Sequence, residues 1–263
     1  MKVRHFVDMT GRSVEIPSPP ARIVSLVPSQ TELLYELGLD EEIVGITKFC
    51  VHPDAWFRSK TRIGGTKQVH IDKVKELKPN LVIANKEENT QEQIEELSKT
   101  LHVWISDIKN IQDALAMIKA IGDITAREEK ANAIVTGISE GFKMLQRAKK
   151  PKRVAYLIWR SPWMCAGGDT FISSMIEATG WENVLKNTLR YPIIELEELS
   201  HLKPELLLLS SEPYPFKQKH IDEIKEVLPS AQIMLVDGEM FSWYGSRVLK
   251  AIPYITELAE TII

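Results

Sequence analysis

LKPNLVIANKEEN, residues 77–89, and LKPELLLLSSEPY, residues 202–214, are one sentence written twice. Each reads as a helix end, Lys-Pro, an apolar strand and a polar loop, and each stands late in a similar half of the chain. A duplication of this length implies two related α/β lobes, and two facing lobes of that kind leave a ligand cleft between them.

Working outward, RIVSLVP from Arg22 and RVAYLIWR from Arg153 form a second matching pair. Both are short apolar runs with basic flanks, as suits strands buried in a parallel sheet. Each continues into a polar loop and a helical pattern closed by a glycine, Gly38 or Gly180. The fold class expected is therefore α/β, with two Rossmann-like lobes of mostly parallel strands joined by one long rigid helix. The boundaries expected are 1–124 for the N-terminal lobe with a leading hairpin, 125–150 for the helix and 151–263 for the C-terminal lobe.

Residues 3–16 alternate around Met9-Thr10-Gly11-Arg12, which predicts the hairpin. In the first lobe IVSLV, IVGIT, LVIAN and VWISD read as strands, with TELLYELG and IDKVKEL as helices. In the second, RVAYLIW, ELLLLS and QIMLVD are strands, followed by FSWYGSR and a closing helix. Between the lobes, 111–121 predicts one helix and 126–148 another, split near Gly122. Thr125-Ala126-Arg127-Glu128 has the spacing of a capping box at the start of the second. Ala131, Ile134, Val135, Ile138, Phe142 and Leu145 keep one apolar stripe on that helix, about 35 Å long at 1.5 Å per residue. A connector of this type is a strut, unlike the Gly, Ser and Pro of a flexible linker.

Composition narrows the function. The chain has 263 residues, 44% apolar and 26% charged, enough for two globular cores. A net charge of −3 offers no general attraction to phosphate backbones, so nucleic acid is not an expected partner. No run is long and apolar enough for a bilayer span, and the start, MKVRHFVDMTGR, has no apolar signal segment. Cys50 and Cys165 fall one in each half and are read as reduced thiols acting as small apolar side chains. There is no CxxC or HExxH, the spacings of zinc sites.

Nor is there a GxGxxG or a GxxxxGK[ST]. IGGTK, 63–67, reads as a turn. GISEG, 137–141, matches the GxSxG pattern of a nucleophile elbow, which needs a strand, a strained turn and a helix. Its flanks continue a helical stripe instead, so a serine hydrolase with Ser139 as nucleophile and His201 or His220 as base stands as the alternative class.

In a doubly wound sheet, ligands meet the loops at the carboxyl ends of the strands. The candidate loops are 28–31, 48–52, 66–68 and 86–89 in the first lobe, and 159–165, 190–191 and 241–247 in the second. Trp159, Trp163, Tyr191 and Trp243 fall in the second set, and clustered aromatics suit a broad, partly apolar ligand. Ser29, Glu87, Glu88 and Arg247 are the expected polar anchors, with Thr66 beside them. His52 reads either as an axial ligand to a chelated metal or as a hydrogen-bonding loop residue. Asp72 and Glu197 each stand seven positions before the repeated proline, Pro79 or Pro204, as an acid pair able to meet basic pockets on a two-fold partner.

DMTGRSVEIPSPPARIVSLVPSQTELLYELG followed by GGTKQVHIDKVKELKPNLVIA resembles the cobalamin and iron-siderophore substrate-binding proteins of ABC importers, over nearly the whole chain. The resemblance implies a non-enzymatic, monomeric protein with no cofactor of its own. Such a protein captures a cobalt or iron chelate, most simply a corrinoid, and hands it to a permease dimer. It also implies docking of that permease by Asp72 and Glu197. His52 and Tyr191 match pocket aromatics of the cobalamin-binding members, while Thr66 stands where they have a tryptophan. That difference and the charge of KEEN, 86–89, leave a siderophore, haem or modified corrinoid open. The family expectation for location is the periplasm or cell surface; the chain as written, without an export signal, also fits a cytoplasmic relative.

Overall fold

The computed structural model describes residues 2–145 and 151–262. Strands β1 (Lys2–Val7) and β2 (Ser13–Ser18) pair antiparallel, with Val7 opposite Ser13. The hairpin expected at the N-terminus is present, and its turn is organised by Asp8. That buried carboxylate accepts hydrogen bonds from the Thr10 N–H, the Thr10 hydroxyl, the Arg12 N–H and the Arg12 guanidinium, all at 2.7–3.0 Å. A short acid folding the chain two residues on is the usual physics of an Asx turn.

Two sheets follow. The first contains β3 (Ile23–Ser25), β4 (Ile43–Ile46), β5 (Thr61–Arg62), β6 (Leu81–Asn85) and β7 (Val103–Ser106), all parallel, in the order β5-β4-β3-β6-β7. The second contains β8 (Arg153–Trp159), β9 (Met164–Cys165), β10 (Glu182–Asn183), β11 (Leu206–Ser210) and β12 (Gln232–Val236), in the order β10-β8-β11-β12 with β9 antiparallel on β8. The run β4-β3-β6-β7 in one sheet is matched by β10-β8-β11-β12 in the other. The duplicated stretch supplies β6 and β11, the third strand of each run, and every residue of both is buried.

The basic flanks of the other repeated pair have a structural use. The helices Ile71–Glu76 and Leu196–His201 end alike, with Lys78 and Lys203 both left-handed at φ 47° and 48°. A helix end exposes carbonyls that need donors. The Arg22 guanidinium donates to the Leu77 carbonyl at 2.6 and 2.9 Å, and Arg153 donates to the Leu202 carbonyl at 2.7 Å. An arginine at the start of one strand thus caps the helix leading to the strand beside it in the sheet, once in each half. Its charge also opposes the negative end of the helix dipole.

By compactness the chain divides into two units. One comprises Met1–Ile108, Gln112–Gly137 and Tyr244–Arg247; the other comprises Lys109–Ile111, Ile138–Trp243 and Val248–Ile263. The division falls inside the helix Glu128–Met144. In the second unit Ala155, Leu157, Cys165, Leu199, Leu207, Leu209 and Ile224 form one apolar core. In the first, Val24, Leu26, Leu33, Ile46, Val82 and Trp104 are all fully or almost fully buried.

Three expectations need correction. Residues 28–31 are no loop but the first turn of the helix Pro28–Glu36, with Pro28 at the position where a missing N–H is harmless. The capping box at 125–128 does not form. The Thr125 hydroxyl donates back to the Ile121 carbonyl at 2.7 Å, and Arg127 N–H reaches the Gly122 carbonyl at 2.7 Å. With Ala126 left-handed at φ 54°, this is a C-terminal cap of the helix Ile111–Ile124 rather than an N-terminal cap of the next. Finally, 137–141 lies within the uninterrupted helix Glu128–Met144, so no strand and strained turn present Ser139, and the hydrolase alternative falls. Gly141 has a packing reason instead: a Cβ there would stand 2.7 Å from Ile252 Cδ1. The predicted end of this helix, 146–148, lies outside the described residues.

Gly122 meets the helix Glu128–Met144 so closely that a Cβ would collide with the Cβ of Ala131. Gly122→Val should lower unfolding free energy by about 1–3 kcal/mol through overpacking, read as a lower urea midpoint with unchanged slope. Cys50 and Cys165 are fully buried, and burial pushes their thiols up to about 11 and about 12. A thiol reagent at pH 8 should therefore label neither in the native protein and both after denaturation. Fast labelling of either in the folded state would refute the assignment of inert core thiols.

Candidate functional site

Because β6 is covered on both faces, its polar chemistry collects where the strand stops. Asn85 Oδ1 accepts the N–H groups of Glu87 and Glu88 at 2.8 and 3.0 Å, folding loop 86–89 over the carboxyl end of the strand. Asn89 Oδ1 accepts the Asn85 N–H at 2.8 Å, and its amide donates to the Leu26 and Thr66 carbonyls at 3.4 and 3.0 Å. The Asn85 amide donates to Ser106 Oγ at 3.0 Å, and the Gln30 amide donates to the same hydroxyl. One buried amide network therefore fixes the chain segments after β3, β6 and β7 and the turn at Thr66. Sequence reading put Gln30 and Asn89 in candidate loops without giving them a role, and passed over Asn85 and Ser106. The signal for two of them was there, as asparagines four apart at a strand end.

The expected anchors of the first unit are placed around this network. Ser29 is buried in the first turn of the helix Pro28–Glu36. Thr66 and His52 are half-buried, in turns after β5 and β4. Glu87 and Glu88 are half-buried on loop 86–89; Lys67 Nζ sits on the Glu87 carbonyl, and Lys86 pairs with Asp107 at 2.8 Å. Glu88 Oε1 accepts the Tyr244 hydroxyl at 2.6 Å. Burial, and then the neighbouring Glu88, push that hydroxyl well above the ordinary tyrosine value, so it stays a donor.

Arg247 is engaged elsewhere than expected. Its guanidinium meets Glu32 at 2.7 and 2.9 Å, with the side chains 7% and 5% exposed. That fork-shaped, desolvated pair is a structural tie, and removing one member of such a pair costs about 3–5 kcal/mol. Phe49, half exposed with the Lys48 ammonium 5.0 Å from its ring centre, is an apolar surface on loop 48–52 that sequence reading did not single out.

In the second unit the carboxyl edge is aromatic. Trp159, 39% exposed at the end of β8, meets Tyr214 edge-on at 5.6 Å. Tyr214 meets Phe216 at 4.9 Å, and Trp163 stacks on Phe216 at 6.1 Å with planes 6° apart. Arg160, held by Glu223 at 2.7 and 2.9 Å, lies over Trp163 at 5.4 Å. Buried His220 completes the block: Nδ1 accepts the Lys217 N–H at 2.9 Å, while Nε2 meets the Tyr214 hydroxyl at 3.2 Å. Burial lowers its affinity for a proton below the ordinary histidine value. Tyr214 closes the second copy of the duplicated stretch and Phe216 and His220 follow it; none is predicted from the sequence as a ligand contact, His220 being named only as a possible base of the hydrolase alternative.

Tyr191 is half-buried, flanked by exposed Leu189 and Ile193. Trp243, in contrast, is only 8% exposed, and its indole N–H donates to Glu212 Oε1 at 2.8 Å. Burial raises the Glu212 carboxyl above its usual value, against the pull of hydrogen bonds from Ser242 and Trp243. Asp72 and Glu197 are exposed at the second position of the equivalent helices Ile71–Glu76 and Leu196–His201.

Among the described residues no group of three or more His, Cys, Asp or Glu side chains is arranged to hold a metal ion. No described helix is long and apolar enough to cross a membrane. A groove of about 640 Å³ beside Lys152, Lys203, Glu205 and Gln232 opens at the opposite edge of the second sheet, where its strands begin, away from the aromatic block.

The chain is similar to known proteins along nearly its whole length. It is 26% identical, over 97% of this chain and 84% of the relative, to an uncharacterised ABC transporter substrate-binding lipoprotein of Bacillus subtilis. It is 22% identical, over 92% of this chain and 89% of the relative, to a vitamin B12-binding protein of Pectobacterium atrosepticum. Among solved structures, a periplasmic heme-binding protein from Roseiflexus sp. RS-1 matches with TM-score 0.78 at 20% identity, over 91% of this chain and 98% of that one. A periplasmic vitamin B12-binding protein of Vibrio cholerae matches with TM-score 0.76 at 19% identity, over 93% of this chain and 98% of that one. The sequence profile described as "Periplasmic binding protein" matches residues 23–231. With that profile spanning most of its length, and two like-ordered parallel sheets beneath it, this chain belongs to the periplasmic binding protein family, whose members bind and transport rather than catalyse.

Proposed function

We propose that this protein is the substrate-binding component of an ABC importer and that its cargo is a metal chelate, a corrinoid first of all. The observation that carries the reading is the aromatic block of Trp159, Tyr214, Phe216 and Trp163 at the carboxyl edge of the second sheet. Its outer ring, Trp159, is exposed while the rings behind it are stacked and braced by Arg160 and His220. A large flat ligand gains area on such a surface with little loss of side-chain freedom, because the rings are already immobile.

The relatives named for vitamin B12 support a corrinoid. Haem or a ferric siderophore, taken up by the same mechanism, is the second reading, supported by the heme-binding proteins that share the fold. In either case the metal is cargo, and His52 is the side chain proposed to approach it. Ser29, Thr66, Glu87, Glu88, Trp163 and Tyr191 complete the proposed contacts. Trp243 and Arg247 serve the site by holding it, given their burial against Glu212 and Glu32. The proposed location is the periplasm or the cell surface.

Docking is assigned to Asp72 and Glu197, whose exposed carboxylates occupy equivalent positions on duplicated helices. A permease dimer offers the same basic patch twice, and a duplicated binding protein is the natural match for it.

Titration with cyanocobalamin, haemin and a ferric hydroxamate, followed by tryptophan emission, should give saturable quenching by one of them with Kd at or below about 1 μM. Trp159→Ala should weaken that binding about tenfold or more at unchanged melting temperature, whereas Trp243→Ala should chiefly lower stability, by about 3–5 kcal/mol. The absence of quenching by every chelate would end the reading. For docking, Asp72→Ala combined with Glu197→Ala should leave chelate affinity intact and abolish permease-dependent uptake; undiminished uptake would remove these two residues from the interface.

A further inference from the structure

We propose that His220 is the positioning residue behind the tryptophans of the aromatic block, and that only its neutral form keeps the cargo surface in shape, so that cargo is held at neutral pH and released in acid. This rests on the chelate-carrier reading above and adds its regulation.

Packing is the first support. Trp159 rests edge-on against Tyr214, and Trp163 stacks on Phe216. Tyr214 and Phe216 in turn both stand edge-on to the His220 ring, at 5.4 and 5.5 Å. One ring, 3% exposed, therefore backs both stacks. His220 is the third residue of the helix Gln218–Val227, where a side chain reaching back to the N–H at the helix start is the usual cap. A glutamine would serve for that bond alone; a histidine adds a flat ring against two aromatics, and a titration.

The hydrogen bonds fix the tautomer. A backbone N–H can only donate, so Nδ1, which accepts the Lys217 N–H at 2.9 Å, carries no proton. The neutral ring then has its proton on Nε2, 3.2 Å from the Tyr214 hydroxyl, and donates there. A second proton has one place to go, Nδ1, where it faces the Lys217 N–H. Two opposed donors break the cap and push the ring off its partners, and Tyr214 and Phe216 lose their common backing.

Burial and charge resist that proton. Burial acts first, and the charges facing His220 are Lys219, Arg160, Glu223 and Lys217, three cations and one acid. The acid is itself held by Arg160 at 2.7 and 2.9 Å. His220 therefore titrates below the ordinary histidine value of about 6.5. A group whose folded value is lowered stabilises the fold above the ordinary value and ceases to do so as pH falls through the lowered one. The surface is thus intact at neutral pH and fails only in acid.

Cyanocobalamin, haemin and ferrichrome, an uncharged ferric hydroxamate, are each titrated into the full chain and into its His220→Gln variant at about pH 8 and about pH 5. Glutamine keeps the cap and does not titrate, so comparison of the two proteins cancels any titration of the probe itself. For whichever probe binds at pH 8, the unaltered protein should lose about threefold or more affinity by pH 5 beyond the loss shown by His220→Gln. An equal loss in the two proteins, or none in either, overturns the inference and leaves the chelate-carrier reading standing. If His220→Gln fails to fold in a thermal melt, the ring nitrogen NMR shifts of His220 in the cargo-free chain decide. Nδ1 bare and Nε2 protonated at pH 8, with tryptophan emission shifting as the ring titrates, is the expected result. A protonated Nδ1 at pH 8, or a titration that leaves the emission unchanged, overturns the inference. Failure of all three probes to bind at pH 8 overturns the broader reading, and the inference with it.

Discussion

A strand covered on both faces can place a polar side chain only at its end, and β6 and β11 are buried at every position. Asn85 and Ser210 stand at those ends. Asn85 takes the N–H groups of Glu87 and Glu88, and Ser210 Oγ takes the Glu212 N–H at 3.3 Å while donating to the Glu212 carbonyl. In both copies a buried strand thus terminates in a short polar residue that folds the following loop and leads to an acid two positions on. The remaining site features in each unit are arranged around that event, because the loops after the strands are where backbone groups still have to find partners.

The two copies then diverge. In the first, the loop end is a network of amides that binds neighbouring segments through side chains, with the acids Glu87 and Glu88 half-buried on the loop. In the second, the loop after β11 brings Tyr214, Phe216 and His220 against Trp159 and Trp163. One duplicated frame therefore presents a hydrogen-bonding edge in one unit and an aromatic edge in the other. The frame is preserved by features remote from these edges: Arg22 and Arg153 on the helix ends, and the left-handed Lys78 and Lys203 before the prolines.

Two residues that look ligand-facing in the sequence are buried against acids in the structure. Trp243 is held by Glu212, and Arg247 by Glu32, in both cases with almost complete removal from water. An aromatic or an arginine in a polar loop is compatible with either fate. Which one it takes depends on whether a partner of matching geometry arrives from elsewhere in the chain, 31 positions away for Trp243 and 215 for Arg247. Tyr244 illustrates the converse: nothing local marks it, yet it reaches Glu88 across 156 positions.

The linear chain alone was enough to establish the α/β class, the duplication, the position of nearly every long strand and the equivalent places of Asp72 and Glu197. Those features rest on local periodicity and on repetition, both visible in a linear string. It misplaced the cap at 125–128, where the spacing of Thr and Glu suits an N-terminal cap but the Gly122 and Ala131 approach imposes a C-terminal one. Which loop residues become buried ties and which remain at the carboxyl edges emerges on folding, because long-range hydrogen bonds and burial set a side chain's role and leave no periodic mark in the chain.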